Sequence, residues 1–324
     1  MHTERLRGLR VAAVHSPRTS CECHRTVQSA GARFGFEVVL LSDDSTDQWA
    51  SESLGIDLVI DSAESFRGVT EWRWWPRAHA ERLGWPVVGS RAETVRLCDN
   101  KALARQVLAQ AGVATARGVV LPTASVESTW ETLEAAELGW PVVLKPLAEH
   151  GSVGVALCGD RDAVGRERVP AAHGTSPTWL AEEFLPGREF HVCIAGIEHV
   201  DPLPLVEIVG LGSGIYTGAD KRDATHVTAV AIDRDDDLQQ QIRAVALRAH
   251  AALGMRGLAR FDIRLDRAGA PRVLEANTKP SLEVGCALDV AARACGMDVE
   301  SVIARAILDR LESLESDRRG HTGD

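Results

Sequence analysis

The chain has 324 residues, of which 45% are hydrophobic and 25% charged, and its net charge is −10. This composition is typical of a globular protein, and the negative charge argues against nucleic acid as a partner, because phosphate backbones select basic surfaces. No stretch approaches the ~20 apolar residues of a membrane span, so we expect no membrane partner.

The first ~95 residues alternate strands and helices, in a chain long enough for two or three domains. The predicted strands cover 10–14, 37–41, 58–60 and 86–88, and a predicted helix covers 23–34. Such alternation predicts a parallel sheet with helices on its faces. Ligands of these sheets bind beyond the carboxyl ends of the strands, which puts residues 15–24 at a binding edge.

The remainder is predicted to mix helices and strands in an α+β arrangement. The predicted helices are 100–111, 127–138, 237–253, 282–295 and 298–314. The predicted strands are 119–121, 141–145, 153–158, 179–183, 189–197, 258–265 and 271–275. The polar end, 316–324, is expected to be a disordered tail.

Cysteines are scattered through the chain at seven positions: Cys21, Cys23, Cys98, Cys158, Cys193, Cys286 and Cys295. An odd number without regular spacing fits a reducing compartment, so we expect a cytoplasmic protein. The run from Cys21 to His24 lacks zinc-knuckle spacing and a second pair of ligands, so we predict no metal there.

The segment ARFDIRLDRAGAPRVLEAN, 259–277, carries acidic and amide side chains on two predicted strands. Because side chains alternate between faces, Asp262 on one strand can converge with Glu275 and Asn277 on the next. Two carboxylates and an amide oxygen form a hard oxygen site that suits Mg²⁺. The alternative is a hairpin whose charges face solvent.

Two further segments suggest a nucleotide. In KPLAEHGSVG, 145–154, glycines let backbone N–H groups approach phosphate oxygens while Lys145 adds charge; the alternative is a hairpin turn with an exposed lysine. In WLAEEFLPGREF, 179–190, Glu182, Phe184 and Leu185 can contact a purine and Glu189 can accept ribose hydroxyls. The alternative for this segment is a strand–turn–strand unit with surface acids.

A polar segment, IYTGADKRDATH at 215–226, contains Lys221 and the single tyrosine of the chain, Tyr216. Such a segment is typical of a lid that closes over a bound ligand. The alternative is a mobile surface loop.

Taken together and in this order, these segments resemble the ATP-grasp superfamily, and most of all its D-alanine–D-alanine ligase branch. The resemblance begins near Asp99-Asn100-Lys101, runs to about 311 and covers roughly two thirds of the chain. It implies an α/β domain at 1–95, a two-lobed ATP-grasp fold at 96–185 and 186–315, and the tail at 316–324.

The resemblance also implies roles for individual residues. The residues implied to bind ATP are Lys101, Lys145, Ser152, Gly154, Glu182, Phe184, Leu185, Glu189 and Lys221. The implied ligands of magnesium, with two ions expected, are Asp262, Glu275 and Asn277. The residues implied to act in catalysis are Arg260, Lys221, Tyr216 and Ser152.

The activity implied by the resemblance is ATP-dependent joining of a carboxylate to an amine, with amino acids as substrates and possible homodimerisation. A substrate carboxylate attacks the γ-phosphate to give an acyl phosphate, and an amine then displaces phosphate. Phosphoryl transfer needs mainly positioning and neutralisation of charge, which lysines, an arginine and magnesium supply.

The sequence departs from this family where amino acids should bind. It lacks the family's first-domain motifs. The segment NTKPSLE, 277–283, places Glu283 where the family docks a substrate carboxylate. Binding a carboxylate beside Glu283 costs energy unless Lys279 or Arg73 compensates its negative charge. The candidate substrate residues are Glu22, Trp74, Ser281, Glu283 and Cys286. Trp72 and Trp75, at helical spacing, can form a core face or, together with Trp74, a wall of the pocket.

These departures favour a specialised ligase, such as a dipeptide or γ-glutamyl ligase, a mycosporine-type ligase or a cyclising ligase, for example in antibiotic biosynthesis. One alternative is a true D-alanine–D-alanine ligase. Two others are an ATP-binding regulatory protein without turnover and an ATP-grasp kinase that phosphorylates without ligation.

Overall fold

The computed structural model describes residues 3–50, 55–121, 126–167, 178–196, 200–211, 214–217, 228–232 and 236–320. Within these ranges an α/β unit comes first, as expected from the sequence, and antiparallel sheets follow it, although several helices and strands of both parts were not predicted. No helix in these ranges is both long and apolar enough to cross a membrane.

The first unit is built on a parallel sheet in which β1 (Arg10–His15) lies between β2 (Glu37–Ser42) and β3 (Leu58–Asp61). α1 (Cys23–Phe34) connects β1 to β2 and buries Val27 among the apolar side chains of the sheet. This agrees with the predicted parallel α/β unit. The predicted strand at 86–88 is corrected, because Val87 makes only an isolated bridge to β3.

The short helix α2 (Thr46–Trp49) lies between β2 and β3, and three helices connect the first sheet to the next one: α3 (Trp75–Arg82), α4 (Ala92–Asp99) and α5 (Lys101–Gln110). The sequence analysis predicted only the last of them. The Asn100 side chain accepts a hydrogen bond from the Leu103 N–H at 3.1 Å and so caps the start of α5. This cap fixes Lys101 in the first turn of α5, where it is buried.

A second, antiparallel sheet has the order β4-β7-β5-β6. Its strands are β4 (Gly118–Leu121), β5 (Val142–Pro146), β6 (Ala156–Cys158) and β7 (Trp179–Glu183). α6 (Val126–Ala135) and α7 (Arg161–Glu167) pack against it. The predicted strand at 153–158 is shorter than expected because Gly154 turns the chain with a φ of 71°.

The third sheet, also antiparallel, has the order β11-β10-β8-β12-β13, with β9 (Asp201–Pro202) pairing with β8. Its other strands are β8 (Glu189–Ala195), β10 (Leu205–Val209), β11 (Thr228–Ile232), β12 (Ala259–Leu265) and β13 (Pro271–Asn277). α8 (Asp237–Ala252) packs on one face, with Ile242 and Phe261 in the shared core. β12 and β13 form the predicted hairpin.

Two terminal helices, α9 (Ala287–Ala294) and α10 (Val299–Gly320), close the fold against the first unit. Residues 278–286, which were expected to begin a helix at 282, form a loop before α9. α10 continues to Gly320, so 316–320 is helical and not part of the predicted tail. The division into domains at 95, 185 and 315 stays a prediction.

Candidate active site

A cleft between the second and third sheets collects most of the residues predicted to bind ATP, to bind metal or to act in catalysis. The residues of that set that line it are Lys145, Ser152, Glu182, Phe184, Leu185, Glu189, Tyr216, Asp262 and Glu275. They come from both sheets and from the segments that follow the strands. The structure therefore brings together residues up to 130 positions apart in the sequence, Lys145 and Glu275 among them.

The two predicted metal carboxylates face each other across the β12–β13 hairpin. Asp262 pairs in register with Glu275, and Arg260 pairs with Asn277. A register shift directly after Asp262 marks a bulge, a feature that re-aims side chains near functional sites. The convergence predicted from strand alternation is thus present, with an arginine and an amide beside the two acids.

Arg260 holds Asp262 through both ends of its guanidinium group. Its Nε lies 2.7 Å from Asp262 Oδ1 and its Nη2 lies 3.0 Å from Oδ2. Burial raises the pKa of Asp262, but the charge of Arg260 more than offsets this effect, and the pKa is lowered. A bidentate pair of this kind fixes both position and charge.

Glu275 is also held in its ionised form. Burial raises its pKa, but the positive charge of Lys101 and the nearby His150 side chain bring the pKa well below the usual value. Two ionised carboxylates in register, with an amide oxygen nearby, fit a hard divalent cation such as Mg²⁺. The donor set is therefore consistent with the predicted metal.

The two predicted phosphate-binding lysines take different positions. Lys145, at the end of β5, lies on the cleft wall with its Nζ 2.5 Å from Glu182 Oε2. Lys101 lines a smaller neighbouring cavity with Glu275, and its Nζ donates to the Glu149 carbonyl at 2.5 Å. Burial lowers the pKa of Lys101, while the charge of Glu275 opposes that effect.

The loop after Lys145 needs special backbone conformations. Ser152 has a φ of 62° and Gly154 a φ of 71°, both in the left-handed region. A Cβ atom on Gly154 would lie 2.8 Å from Pro146 Cγ, so this position requires glycine. The resulting tight turn holds Ser152 at the cleft.

Another part of the cleft lining combines apolar and acidic side chains. Phe184 and Leu185 lie there, between Glu182 on β7 and Glu189 on β8. The Arg264 guanidinium lies 5.2 Å from the centre of the Phe184 ring and 3.3 Å from Glu189 Oε2. An apolar platform flanked by hydrogen-bond acceptors fits a flat base and a ribose.

Two histidines in this region were not singled out from the sequence. His191 Nε2 lies 3.6 Å from Asp262 and 3.7 Å from Glu189, and its ring centre is 6.0 Å from that of Tyr216. The signal was available, because strand alternation places His191 on the same face as Glu189. His150, within the glycine loop, lies on the other side of the metal carboxylates.

His150 links Glu275 to the first unit. Its Nδ1 is 3.8 Å from Glu275 and its Nε2 is 3.6 Å from Asp99. Asp99 in turn pairs with the buried Arg73 at 3.2 Å. Burial lowers the pKa of His150, with the charge of Arg73 acting in the same direction, so the imidazole is neutral near pH 7.

The cations considered as partners for Glu283 are engaged elsewhere. Arg73 also pairs with Glu64 at 3.3 Å, and Lys279 pairs with Asp61 at 2.6 Å while donating to two backbone carbonyls. The idea that either compensates for Glu283 is therefore corrected.

Four of the candidate substrate residues lie together at the start of α1. We call this group, with its two neighbouring cysteines, the α1 cluster: Cys21, Glu22, Cys23, Ser281, Glu283 and Cys286. The Glu22 N–H donates to Glu283 Oε1 at 2.6 Å, and the Cys286 thiol donates to the Ser281 carbonyl at 3.0 Å. The Glu22 carboxylate itself is exposed and pairs with Arg25 at 3.1 Å. The substrate roles of these residues stay predictions.

Trp72, Trp74 and Trp75 line a surface depression of the first unit and not the cleft described above. Trp72 is 51% exposed, which corrects the idea that it forms a helix core face with Trp75. Trp75 stacks on Phe66 with ring centres 4.7 Å apart, and Arg96 lies 5.3 Å from the Trp74 ring centre.

Lys221 lies outside the described residues, so its role also stays a prediction.

Comparison with known proteins matches the family model described as D-ala D-ala ligase C-terminus to residues 107–308. The D-alanine–D-alanine ligase of Gloeobacter violaceus is 31% identical over 301 residues, covering 88% of this chain and 92% of that protein. The corresponding ligase of Cupriavidus metallidurans is 32% identical over 235 residues, covering 71% of this chain and 70% of that protein.

Solved structures show the same fold. A D-alanine–D-alanine ligase from Bacillus anthracis complexed with ATP matches with a TM-score of 0.78 at 19% identity, over 96% of this chain and 100% of that one. A D-Ala:D-Ser ligase from Enterococcus faecalis matches with a TM-score of 0.74 at 18% identity, over 94% of this chain and 100% of that one. The expected fold class is confirmed, and the chain belongs to the D-alanine–D-alanine ligase family of the ATP-grasp superfamily.

Proposed function

We propose that this protein is an ATP-dependent ligase that joins two D-alanine molecules. The observation that carries the proposal is the ionised Asp262–Glu275 pair in register on β12 and β13, with Arg260 beside it and Lys145 across the same cleft. The names of the relatives support D-alanine as the substrate. They favour the true D-alanine–D-alanine ligase, an alternative in the sequence analysis, over a specialised ligase.

The proposal assigns ATP to the cleft. Phe184 and Leu185 hold the base, Glu189 accepts the ribose hydroxyls, and Lys145 with the Ser152 loop holds the phosphates. Asp262, Glu275 and Asn277 hold magnesium, which neutralises phosphate charge when bound. Two magnesium ions, a homodimer and a cytoplasmic location remain predictions.

The reaction then follows two balanced steps. The carboxylate of the first D-alanine attacks the γ-phosphorus and ADP leaves, giving an acyl phosphate. The amine of the second D-alanine attacks the acyl carbon, losing a proton, and phosphate leaves. Arg260 is the cation that stabilises negative charge at the reacting centre. A cation ~4 Å from developing charge, at an effective dielectric constant of ~20, contributes on the order of 4 kcal/mol, or roughly a thousandfold in rate.

The test is an ADP-release assay with product mass measured, run with D-alanine, L-alanine and mixed pairs of amino acids. We expect ADP release to depend on D-alanine and to match the amount of D-alanyl-D-alanine formed. ADP release that proceeds without any amine acceptor would favour the kinase alternative. If no amino acid stimulates ATP turnover, the amino-acid ligase proposal fails.

A second candidate is a specialised ligase with another acceptor, and the α1 cluster favours it. Glu283 lies where the sequence comparison expected an acceptor carboxylate, while Lys279 and Arg73 are paired with other acids. An uncompensated carboxylate disfavours a second carboxylate nearby. The same assay decides between the two, with D-alanine as donor and a panel of cationic, neutral and acidic acceptors.

The intact set of charged residues argues against a regulatory protein without turnover. Arg260, Asp262 and Glu275 are all present and mutually oriented in the cleft. A protein that only binds ATP has no need for an arginine held against the metal carboxylates. Measurable turnover in the assay above would exclude this alternative.

A further inference from the structure

Two cysteines and one glutamate meet in the α1 cluster. Cys21 and Cys23 flank the start of α1, and Glu283 belongs to the loop between β13 and α9. Their two sulfurs and a carboxylate oxygen all lie within 4.8 Å of one another. From the sequence alone, the possible ligands here were Cys21, Cys23 and His24. In the structure the third ligand group is the carboxylate of Glu283, which lies more than 250 residues later in the chain.

Backbone hydrogen bonds hold two of these three groups, Cys23 and Glu283. The Leu282 N–H donates to Cys23 Sγ at 3.2 Å, and the Glu22 N–H donates to Glu283 Oε1 at 2.6 Å. Each bond crosses from α1 or its start to the loop that carries Glu283. The arrangement is therefore fixed before any ligand binds, which reduces the cost of binding.

Metals bind the thiolate form of cysteine, and the Leu282 N–H that donates to Cys23 Sγ is placed to stabilise a thiolate there. A thiolate and a carboxylate side by side repel each other, and a bound cation removes the repulsion.

The ligand chemistry selects the class of cation. Zinc binds thiolates at about 2.3 Å and carboxylates at about 2.0–2.2 Å, so tetrahedral ligands lie roughly 3.3–3.8 Å apart. These ligand separations lie within the 4.8 Å that bounds the distances among the two sulfurs and the carboxylate oxygen. Magnesium takes oxygen ligands, so the α1 cluster and the Asp262–Glu275 pair select different ions.

We propose that Cys21, Cys23 and Glu283 bind one zinc-class divalent cation, with the fourth coordination position open to water or another ligand. Binding releases the thiol protons of Cys21 and Cys23 to solvent, because both sulfurs coordinate as thiolates. The ion ties the start of α1 to the loop after β13. Cys286 takes no part, since its thiol donates to the Ser281 carbonyl. This site does not depend on the proposed ligase activity.

The experiment is a titration of the reduced, metal-free full chain with Co²⁺, followed by Zn²⁺. We expect one equivalent of Co²⁺ to give thiolate-to-cobalt absorption in the near ultraviolet, and Zn²⁺ to displace it. Glu283→Gln should keep the absorption and weaken affinity at least about tenfold. Cys295→Ser, at an exposed cysteine outside the cluster, is the matched control and should bind like the parent chain.

Cys21→Ser is the deciding variant, because Cys23 is buried and its replacement puts the fold at risk. It should lose the absorption, and Zn²⁺ should raise the melting temperature of the parent chain but not of this variant. The proposal is overturned if the parent chain shows no thiolate absorption, or if Cys21→Ser shows the same absorption and affinity as the parent.

Discussion

The ATP cleft and the α1 cluster are both acidic, but they are built in different ways. In the cleft, carboxylates sit on paired strands and face buried cations, as Asp262 faces Arg260. In the α1 cluster, Glu283 belongs to a loop and has no ion-pair partner among the residues that the structure describes. In the cleft, the charge of each carboxylate is balanced by a protein cation, which fixes its position. In the α1 cluster, the charge of Glu283 is available to a ligand. Loops of this kind are where selectivity is usually determined.

The largest effect should come from removing Arg260, the cation that is paired with Asp262. Arg260→Ala is expected to lower turnover at least about 100-fold with ATP affinity preserved, because the guanidinium stabilises charge that develops only in the transition state. Steady-state kinetics and nucleotide-binding measurements check this. Arg272→Ala, which removes a surface pair with Asp266 on the same hairpin, is the control and should keep turnover. Near-normal turnover in Arg260→Ala would remove its assigned role.

A smaller effect is expected from weakening the metal pair. Glu275→Gln removes one of the two ionised carboxylates, so the Mg²⁺ concentration for half-maximal ADP release should rise at least about tenfold. Asp266→Asn, at the turn of the same hairpin, is the matched control. An unchanged Mg²⁺ requirement in Glu275→Gln would contradict the metal assignment.

Glu283→Gln, assayed in zinc-free buffer, tests whether the charge of Glu283 in the α1 cluster affects binding of the acceptor. Removing a charge ~4 Å from an acceptor carboxylate in water is worth about 1 kcal/mol, so the KM for acceptor D-alanine should fall roughly fivefold with kcat little changed. The neighbouring Val284, 79% exposed, supplies the control Val284→Thr. A rise in KM would instead indicate that Glu283 attracts a cationic acceptor, as the second candidate function requires.

A last effect concerns stability rather than turnover, lies in the core behind the cleft, and is visible only in acid. Burial lowers the pKa of His250 from 6.5 to about 4, and its ring lies 6.5 Å from that of Phe261 on β12. As pH falls, the unfolded chain therefore binds the proton first. The stability contributed by neutral His250 is complete above pH 6.5 and is lost as pH falls towards 4.

The measurement is denaturant unfolding of the parent chain and His250→Gln between pH 7 and pH 4. The variant should lose less unfolding free energy across this range than the parent, since it carries no titrating group at that position. His150 is unsuitable as a control because it contacts Glu275 in the cleft. Equal pH dependence in the two proteins would mean that His250 does not titrate as described.

Much of the cleft could be predicted from the sequence because strand geometry is local. Alternation of side chains put Asp262 opposite Glu275, and glycine chemistry identified the flexible loop after Lys145. The bounds of α1 and β7 were also predicted correctly. In contrast, α4 was missed, and the helix expected from 282 begins only at Ala287, where the loop carrying Glu283 ends.

The sequence by itself determined the family and the chemical character of the cleft, because these depend on residue type and short-range periodicity. Only the tertiary structure decided which distant charges meet. It paired Lys279 with Asp61, placed His150 between Asp99 and Glu275, and brought Glu283 to the two cysteines at α1. These contacts join residues far apart in the chain, and burial together with the packing of one unit on another, rather than any local pattern, selects them.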